Sequence, residues 1–477
     1  MKRNFYNYDV VVIGGGSGGL VCAAGGAGLG AKVLLIEKKK LGGDCLNTGC
    51  VPSKALIRSA KIFHYIRNSK TYGIKDCRFH FEFSDIMNRV KAIQKKIEPH
   101  DSPERFRSLG VDVKFGNYYF KNSSELTNGE ETISAKRIVI ATGSSPFIPP
   151  IPGCEEAKCL TSDSLWHLQT LPKRLVVVGG GPIGSEMAQC FARFGSSVTL
   201  IDLAPGILPR EDADLKDVVH KSFLEDGIQF KFNAQLKKVH HGSSTHTVTF
   251  DYQGKEEQLE CDGIFVAVGR KPNTAGLELE KVGIATEKRG IIINKYCQTT
   301  LPHVYACGDV AGPYQFTHFA DYQARLILRN ALFPGKSKAD YAYVPWCTYT
   351  DPELARVGLS ETEVQQKNIA HDVFKYHLSD LDRAVCDGED RGMVKVITQK
   401  NKDKILGAGI VGFHAGDILQ EFVFAMKQGL GLKAISQTIH PYPTMSEAPR
   451  RCADLWMRAQ LKPSVAKVLK WYFKHLF

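Results

Sequence analysis

Residues 8–37, YDVVVIGGGSGGLVCAAGGAGLGAKVLLIE, begin with an apolar run, Val10 to Ile13, that enters Gly14-x-Gly16-x-x-Gly19. Small residues follow, then a second apolar run closed by Glu37. Strand, glycine turn, helix, strand and acid in that order predict a βαβ unit that binds a dinucleotide. Gly14 allows the tight turn, Gly16 lets backbone approach a pyrophosphate, and Gly19 packs helix on strand; Glu37 is placed to hold a ribose diol. The layout recurs at residues 174–202, RLVVVGGGPIGSEMAQCFARFGSSVTLID, with Gly179, Gly181, Gly184 and Asp202, and first glycine to acid spans 23 positions in both copies. Two sites imply two dinucleotides, most simply a bound flavin and a diffusible nicotinamide. An acid at the second strand's end favours a free ribose hydroxyl and repels a 2′-phosphate, so Asp202 predicts NADH over NADPH; Arg210, eight positions on, is placed to soften that preference.

The rest of the chain is long enough to surround these units. At 477 residues it predicts three or four domains with sizeable cores. The composition, 43% hydrophobic and 23% charged, is that of a globular enzyme. The net charge of +12 is spread along the sequence, which predicts a general solubility charge and no nucleic-acid partner. Thirteen cysteines, among them Cys22, Cys190 and Cys307 in apolar surroundings, predict reduced, buried thiols and a cytoplasmic location. Residues 10–31 carry no charge after a basic start, but their glycine content argues against a membrane span or signal peptide.

Residues 42–54, GGDCLNTGCVPSK, hold Cys45 and Cys50 five apart. The pair admits three readings: a metal clip, a structural disulfide or a redox pair. No second Cys or His pair at zinc spacing stands nearby, so no metal site is expected. Pro52 suits a first helical turn and puts Cys50 at or near a helix N-terminus, where the dipole favours thiolate. Lys54 shares that helix face and adds positive charge. Cys154 and Cys159 have the same spacing without the glycine frame or the lysine, and read as structural.

Three further segments complete the pattern. RIVIATG (137–143) places Thr142 and Gly143 after a strand, CDGIFVAVGRKPNT (261–274) places Gly269 at the close of the second unit, and VYACGDVAG (304–312) brings Asp309 to a strand end. With the paired glycine loops and GGxCxNxGCxPSK, the chain resembles, over essentially its whole length, the FAD-dependent pyridine nucleotide-disulfide oxidoreductases, among them lipoamide dehydrogenase, glutathione reductase and mercuric reductase. The resemblance implies an α/β fold with two Rossmann-like, doubly wound dinucleotide-binding domains and a C-terminal α+β dimerisation domain. The implied division is 1–150 for FAD and the redox disulfide, 151–271 for NAD(P), 272–345 for a central domain completing the FAD site, and 346–477 for the interface of a homodimer. FAD and NADH are the implied cofactors. Gly14, Gly16, Gly19, Glu37, Lys54, Thr142, Gly143 and Asp309 would serve the first; Gly179, Gly181, Gly184, Asp202 and Gly269 would serve the second. Cys45 and Cys50 would be the redox disulfide, Cys50 nearer the flavin and Cys45 exchanging with substrate, with Lys54 paired to Glu186.

One departure bears on the acceptor. WCTYTDPELARVGLSE (346–361) and IHPYPTMSEAPR (439–450) resemble the family's dimerisation domain. In the lipoamide and glutathione enzymes a catalytic histidine stands directly before Pro-Thr, a glutamate five positions later orients it, and both reach across the dimer. Here those places hold Tyr442 and Glu447. A phenol titrating at about pH 10 is a poor base at neutrality, where an imidazole at about 6.5 is a good one. His440, two positions earlier, is the imidazole left to substitute, at a different spacing from Glu447. Mercuric reductase resembles this departure, carrying tyrosine there, and segments 208–230 and 380–397 also look closer to that branch. No Cys-x-x-Cys stands ahead of Gly14 and no cysteine follows Cys452. Those parts deliver mercuric ion in that branch, so efficient mercury reduction is not assured. The expected acceptor is a thiophilic metal ion or a small disulfide; the alternatives are a dihydrolipoyl dehydrogenase, a flavoprotein redox sensor and a membrane-surface quinone reductase. The segment 464–477, SVAKVLKWYFKHLF, is basic with Val465, Val468, Leu469, Tyr472 and Leu476 at helical spacing. It is expected to dock on the protein or the dimer mate, with a weak contact to an anionic membrane surface as the other reading.

Overall fold

The apolar runs flanking each glycine loop become neighbouring parallel strands. In a computed structural model describing residues 6–75, 77–242, 245–461 and 463–475, β1 (Tyr8–Ile13) pairs with β2 (Val33–Glu37), Val10 opposite Val33. The helix between them, α1 (Ser17–Gly28), packs back on both strands. The strands are covered on both faces, which is why VVVI and VLLI are continuous rather than alternating. After the cysteine segment the chain runs as α2 (Cys50–Arg67). The parallel part of the first sheet has the order Val111–Phe115, β2, β1, β3 (Thr132–Ile140), Val304–Ala306. Its last strand comes from far downstream, Val304 opposite Ile138, and so carries Asp309 back to the first glycine loop.

The second unit repeats the plan with β4 (Arg174–Val178), α3 (Pro182–Phe194), β5 (Ser197–Asp202) and β6 (Gly263–Val266). The parallel order is Gln229–Phe232, β5, β4, β6. Three antiparallel strands, 234–241, 246–252 and 255–261, stand beside it. The segment 147–173 between the units holds one 3-10 turn and no strand, consistent with its prolines. From α4 (Thr317–Leu332), which packs on α1, the chain enters a five-stranded antiparallel sheet ordered 346–348, 353–358, 405–412, 393–399, 371–377. Here lie α5 (Asp382–Asp387) and α6 (Glu447–Ala459), the latter buried on one face through Ala448, Cys452, Ala453 and Trp456. The final described helix, α7 (Pro463–His475), shows Val468, Leu469 and Trp471 to solvent. Leu476 lies outside the described residues.

Buried charges join the three parts. Arg193 on α3 is 5% exposed and reaches Asp226 at 2.9 Å and Asp351 at 2.6 Å. Lys61 on α2 reaches Asp351 at 2.9 Å and Glu389 at 3.1 Å. Asp351 thus faces two cations; burial acts to raise its carboxyl, but Arg193 and Lys61 hold it down at about 2. Among the described residues no helix is long and apolar enough to cross a membrane.

Candidate active site

Both glycine loops are built the same way. Gly14 and Gly179 have φ of +107° and +105°, and a Cβ there would lie 2.3 Å from the Ala141 carbonyl oxygen and 2.6 Å from that of Ala267. At Gly19 and Gly184 a Cβ would fall 1.8 and 1.9 Å from the carbonyl of the loop's own first glycine. Gly16 and Gly181 differ: a Cβ would meet only the Gly43 Cα at 3.7 Å in one, and nothing within 4 Å in the other. These two glycines start α1 and α3 with no side chain to cap the first turn, so both helix N-termini open on free space. That is the cradle a pyrophosphate fits. Glu37 Oε2 accepts from Gly15 N–H at 2.6 Å, and Asp202 accepts from Gly180 N–H, with its other oxygen 2.6 Å from Ala204 N. Each acid therefore braces its loop at the place a ribose would occupy. Arg210 is exposed at the rim of the second site.

The two cradles share one cleft of about 3230 Å³ that also holds Cys45, Cys50 and Asp309. Residues of this volume and character fit two dinucleotides end to end. Asp309 accepts from the Ser144 hydroxyl at 2.6 Å, and Ser144 accepts from Arg270 Nε at 2.7 Å. Arg270 also pairs with Asp44, beside Cys45. Burial pushes the Asp309 carboxyl up, with Ser144 and Arg270 opposing it. Thr142 donates to the Asn273 carbonyl at 2.7 Å, and the Gly143 carbonyl accepts from Asn273 N–H, which fixes the ATG turn. Gly269 takes φ +138° with open space where a Cβ would stand.

Cys45 and Cys50 are free thiols, and Cys50 is the first residue of α2. The Cys50 thiol is lowered to about 6 by the hydrogen bond from Cys45, against the cost of burial, with help from Thr317 and the Lys54 charge. The same hydrogen bond pushes the Cys45 thiol far up. Cys50 Sγ lies 3.4 Å from Thr317 Oγ1 at the start of α4. Lys54 Nζ sits 2.8 Å from Glu186 Oε2 and 4.3 Å from the centre of the Tyr349 ring. Burial weakens the lysine's charge, but Glu186 outweighs it and the ammonium is held above its usual range. Glu186 Oε1 also accepts from Tyr349 N–H at 2.8 Å. A thiolate and an ammonium from α2 thus meet a carboxylate from α3, with Tyr349 of the C-terminal part against both charged groups of the ion pair. Cys347 lines the cleft too, its thiol kept protonated by burial.

Sequence reasoning missed Thr317, Tyr349, Arg270, Ser144 and Asp44. The proximity of Thr317 to Cys50, 267 positions away, is set by the tertiary fold. The C-terminal group is arranged otherwise than the spacing suggested. Tyr442, 66% exposed, gives its hydroxyl to Asp382 at 2.8 Å, not to Glu447. That acceptor raises the phenol further above neutrality. Glu447 is buried against Arg451 at 3.3 Å. His440 is held by Glu421 at 2.9 Å and by the Thr438 carbonyl at 2.9 Å, so both ring nitrogens are engaged away from Glu447. None of the three lines the cleft of its own chain.

Residues 8–324 match the pyridine nucleotide-disulphide oxidoreductase family, and 344–453 match its dimerisation domain, which indicates a homodimer. A mercuric reductase of Lysinibacillus sphaericus is 33% identical over 456 residues, covering 94% of this chain and 84% of the relative. A dihydrolipoyl dehydrogenase of Bacillus subtilis is also 33% identical over 456 residues, covering 92% and 96%. The Cu(II) complex of the HOCl-induced flavoprotein disulfide reductase RclA from Escherichia coli superposes with a TM-score of 0.84 at 28% identity, covering 94% of this chain and all of that one. Paired glycine loops, a dithiol at a helix start and two matching domains across the chain have one explanation: it belongs to the pyridine nucleotide-disulphide oxidoreductases, which bind FAD and a pyridine nucleotide.

Proposed function

We propose that this enzyme passes electrons from NADH through FAD to Cys45–Cys50 and on to a thiophilic metal ion or small disulfide, as a mercuric-reductase-like member of its family. The observation that carries this reading is Tyr442, whose hydroxyl is committed to Asp382 where a disulfide-exchanging enzyme needs a base. Bound FAD would supply two-electron transfer between the nicotinamide and the cysteine pair. Gly14, Gly16, Gly19, Glu37, Thr142, Gly143 and Asp309 would hold it, with Lys54 at its ring. Gly179, Gly181, Gly184, Asp202 and Gly269 would hold NADH, which Asp202 favours over NADPH. We assign the first site to residues 1–150 completed by 272–345, the second to 151–271, and the interface to 346–477.

The cysteine chemistry follows from charge. Cys50 is thiolate at neutral pH without a base to deprotonate it, and a thiolate binds a soft ion directly. Cys45 donates to that thiolate, and by the family resemblance it would be the thiol that exchanges with the acceptor. As the pair closes to a disulfide it releases two electrons, to one ion that takes two or to two ions that take one each, and the Cys45 proton goes to water. A disulfide acceptor also demands a proton for its leaving thiol, the step Tyr442 serves poorly. Cysteines buried in apolar surroundings, Cys22, Cys190 and Cys307 among them, support a cytoplasmic location.

Steady-state NADH oxidation with Hg²⁺, Cu²⁺, lipoamide, glutathione disulfide and a quinone tests the reading. Metal-stimulated turnover that disappears in Cys50→Ser is expected. Rapid lipoamide turnover would instead make the protein a dihydrolipoyl dehydrogenase, and slow turnover with every acceptor would favour a redox sensor.

A further inference from the structure

Helix α7 sorts its side chains by chemistry. At 3.6 residues per turn, Lys467, Lys470 and Lys474 share an arc of roughly 60°, while Val465, Val468, Leu469, Tyr472 and Phe473 fill roughly 140° on the opposite side. Trp471 stands at the boundary. The apolar side faces outward: Val465 is 43% exposed, Val468 63%, Leu469 39% and Trp471 57%. No Asp or Glu occurs after Asp454, whereas Arg458, Lys462, Lys467, Lys470 and Lys474 do.

The occupant of this face must therefore accept apolar side chains and carry negative charge. Among the described residues, Val465, Val468, Leu469 and Trp471 are left open to solvent. Two copies of this helix laid face to face would bring lysine against lysine with no acid on either, whereas an anionic bilayer attracts. A single apolar stripe flanked by lysines and bordered by tryptophan suits a helix lying in the headgroup plane. We propose that α7 rests on an anionic lipid surface, its Val465, Val468 and Leu469 side entering the headgroup boundary and its lysines meeting lipid phosphates.

The test uses the FAD-loaded, full-length enzyme, sedimented with vesicles of equimolar phosphatidylcholine and phosphatidylglycerol and, separately, of phosphatidylcholine alone. Binding to the anionic vesicles is expected, reduced by salt and much weaker on neutral ones. The triple variant Lys467→Glu, Lys470→Glu, Lys474→Glu should weaken it about tenfold or more. The double variant Val468→Gln, Leu469→Gln should weaken it comparably, with flavin content and NADH oxidation in solution unchanged. The proposal falls if the wild type does not sediment with anionic vesicles, if it binds neutral ones equally, or if the triple variant binds as well as the wild type. It also falls if either variant changes the enzyme's mass in sedimentation velocity, since a second copy would then be what covers the face.

Discussion

Cys50 is held as thiolate by its neighbours rather than by its position alone. The Cys45 hydrogen bond acts first, then the Thr317 hydroxyl and Lys54, all against burial. Alkylation of the reduced enzyme by iodoacetamide should follow the thiolate fraction, rising through about pH 6 and flat above it. Thr317→Val and Lys54→Gln should each raise that midpoint by roughly 0.5–1.5 units, because each removes a contact to the charged form only. A Cys50 that titrates like an ordinary thiol would refute the account. Tyr442 gives the complementary case. Tyr442→His should speed dihydrolipoamide oxidation with NAD⁺ by about 100-fold while leaving metal-dependent turnover within a factor of two or so; equal, small effects on both would show that the residue takes no part in proton transfer. Lys54 and Cys50 were legible because four positions on a helix is a local relation. Thr317 and Asp382 were not, since each meets its partner only through the tertiary fold.

The two glycine loops show how an element is fixed by contacts that exclude a side chain. The third glycine of each loop sits against a carbonyl oxygen that no rotamer change can move, so an added methyl must lift the helix from the strand. Gly19→Ala should weaken FAD retention by about tenfold or more, read as absorbance after gel filtration. Gly184→Ala should keep its flavin and raise the KM for NADH by a similar factor. Loss of flavin from both variants alike would mean that the loops do not serve separate dinucleotides. These elements were the most legible part of the chain, because turn, helix and acid lie within one short stretch. The tail helix was legible as a helix, but not its exposure: an amphipathic pattern names an apolar face without naming what covers it.

Across the whole molecule, stability rests on charges that are buried together. Arg193→Met should cost about 3–5 kcal/mol, because Asp226 and Asp351 stay buried after losing their shared partner; thermal unfolding followed by flavin release measures it. The Asp351 carboxyl is depressed to about 2, so its contribution is full above the ordinary carboxylate range and disappears as the pH falls through about 2. The acid-side loss of stability should therefore be shallower in Asp351→Asn. None of this was legible in the sequence, where Arg193 ends an ordinary-looking helix and its partners lie 33 and 158 positions away. The same helix carries a further consequence. Glu186 near its start grips Lys54 and Tyr349, while Gln189 exchanges hydrogen bonds of 2.7 and 2.8 Å with the Asp351 backbone. A helix fastened in this way gives the nucleotide cleft one braced wall, against which bound reactants are held in a constant setting. With NADH saturating, adding sucrose to thicken the solvent should leave kcat nearly flat, as expected where no movement of that wall limits turnover.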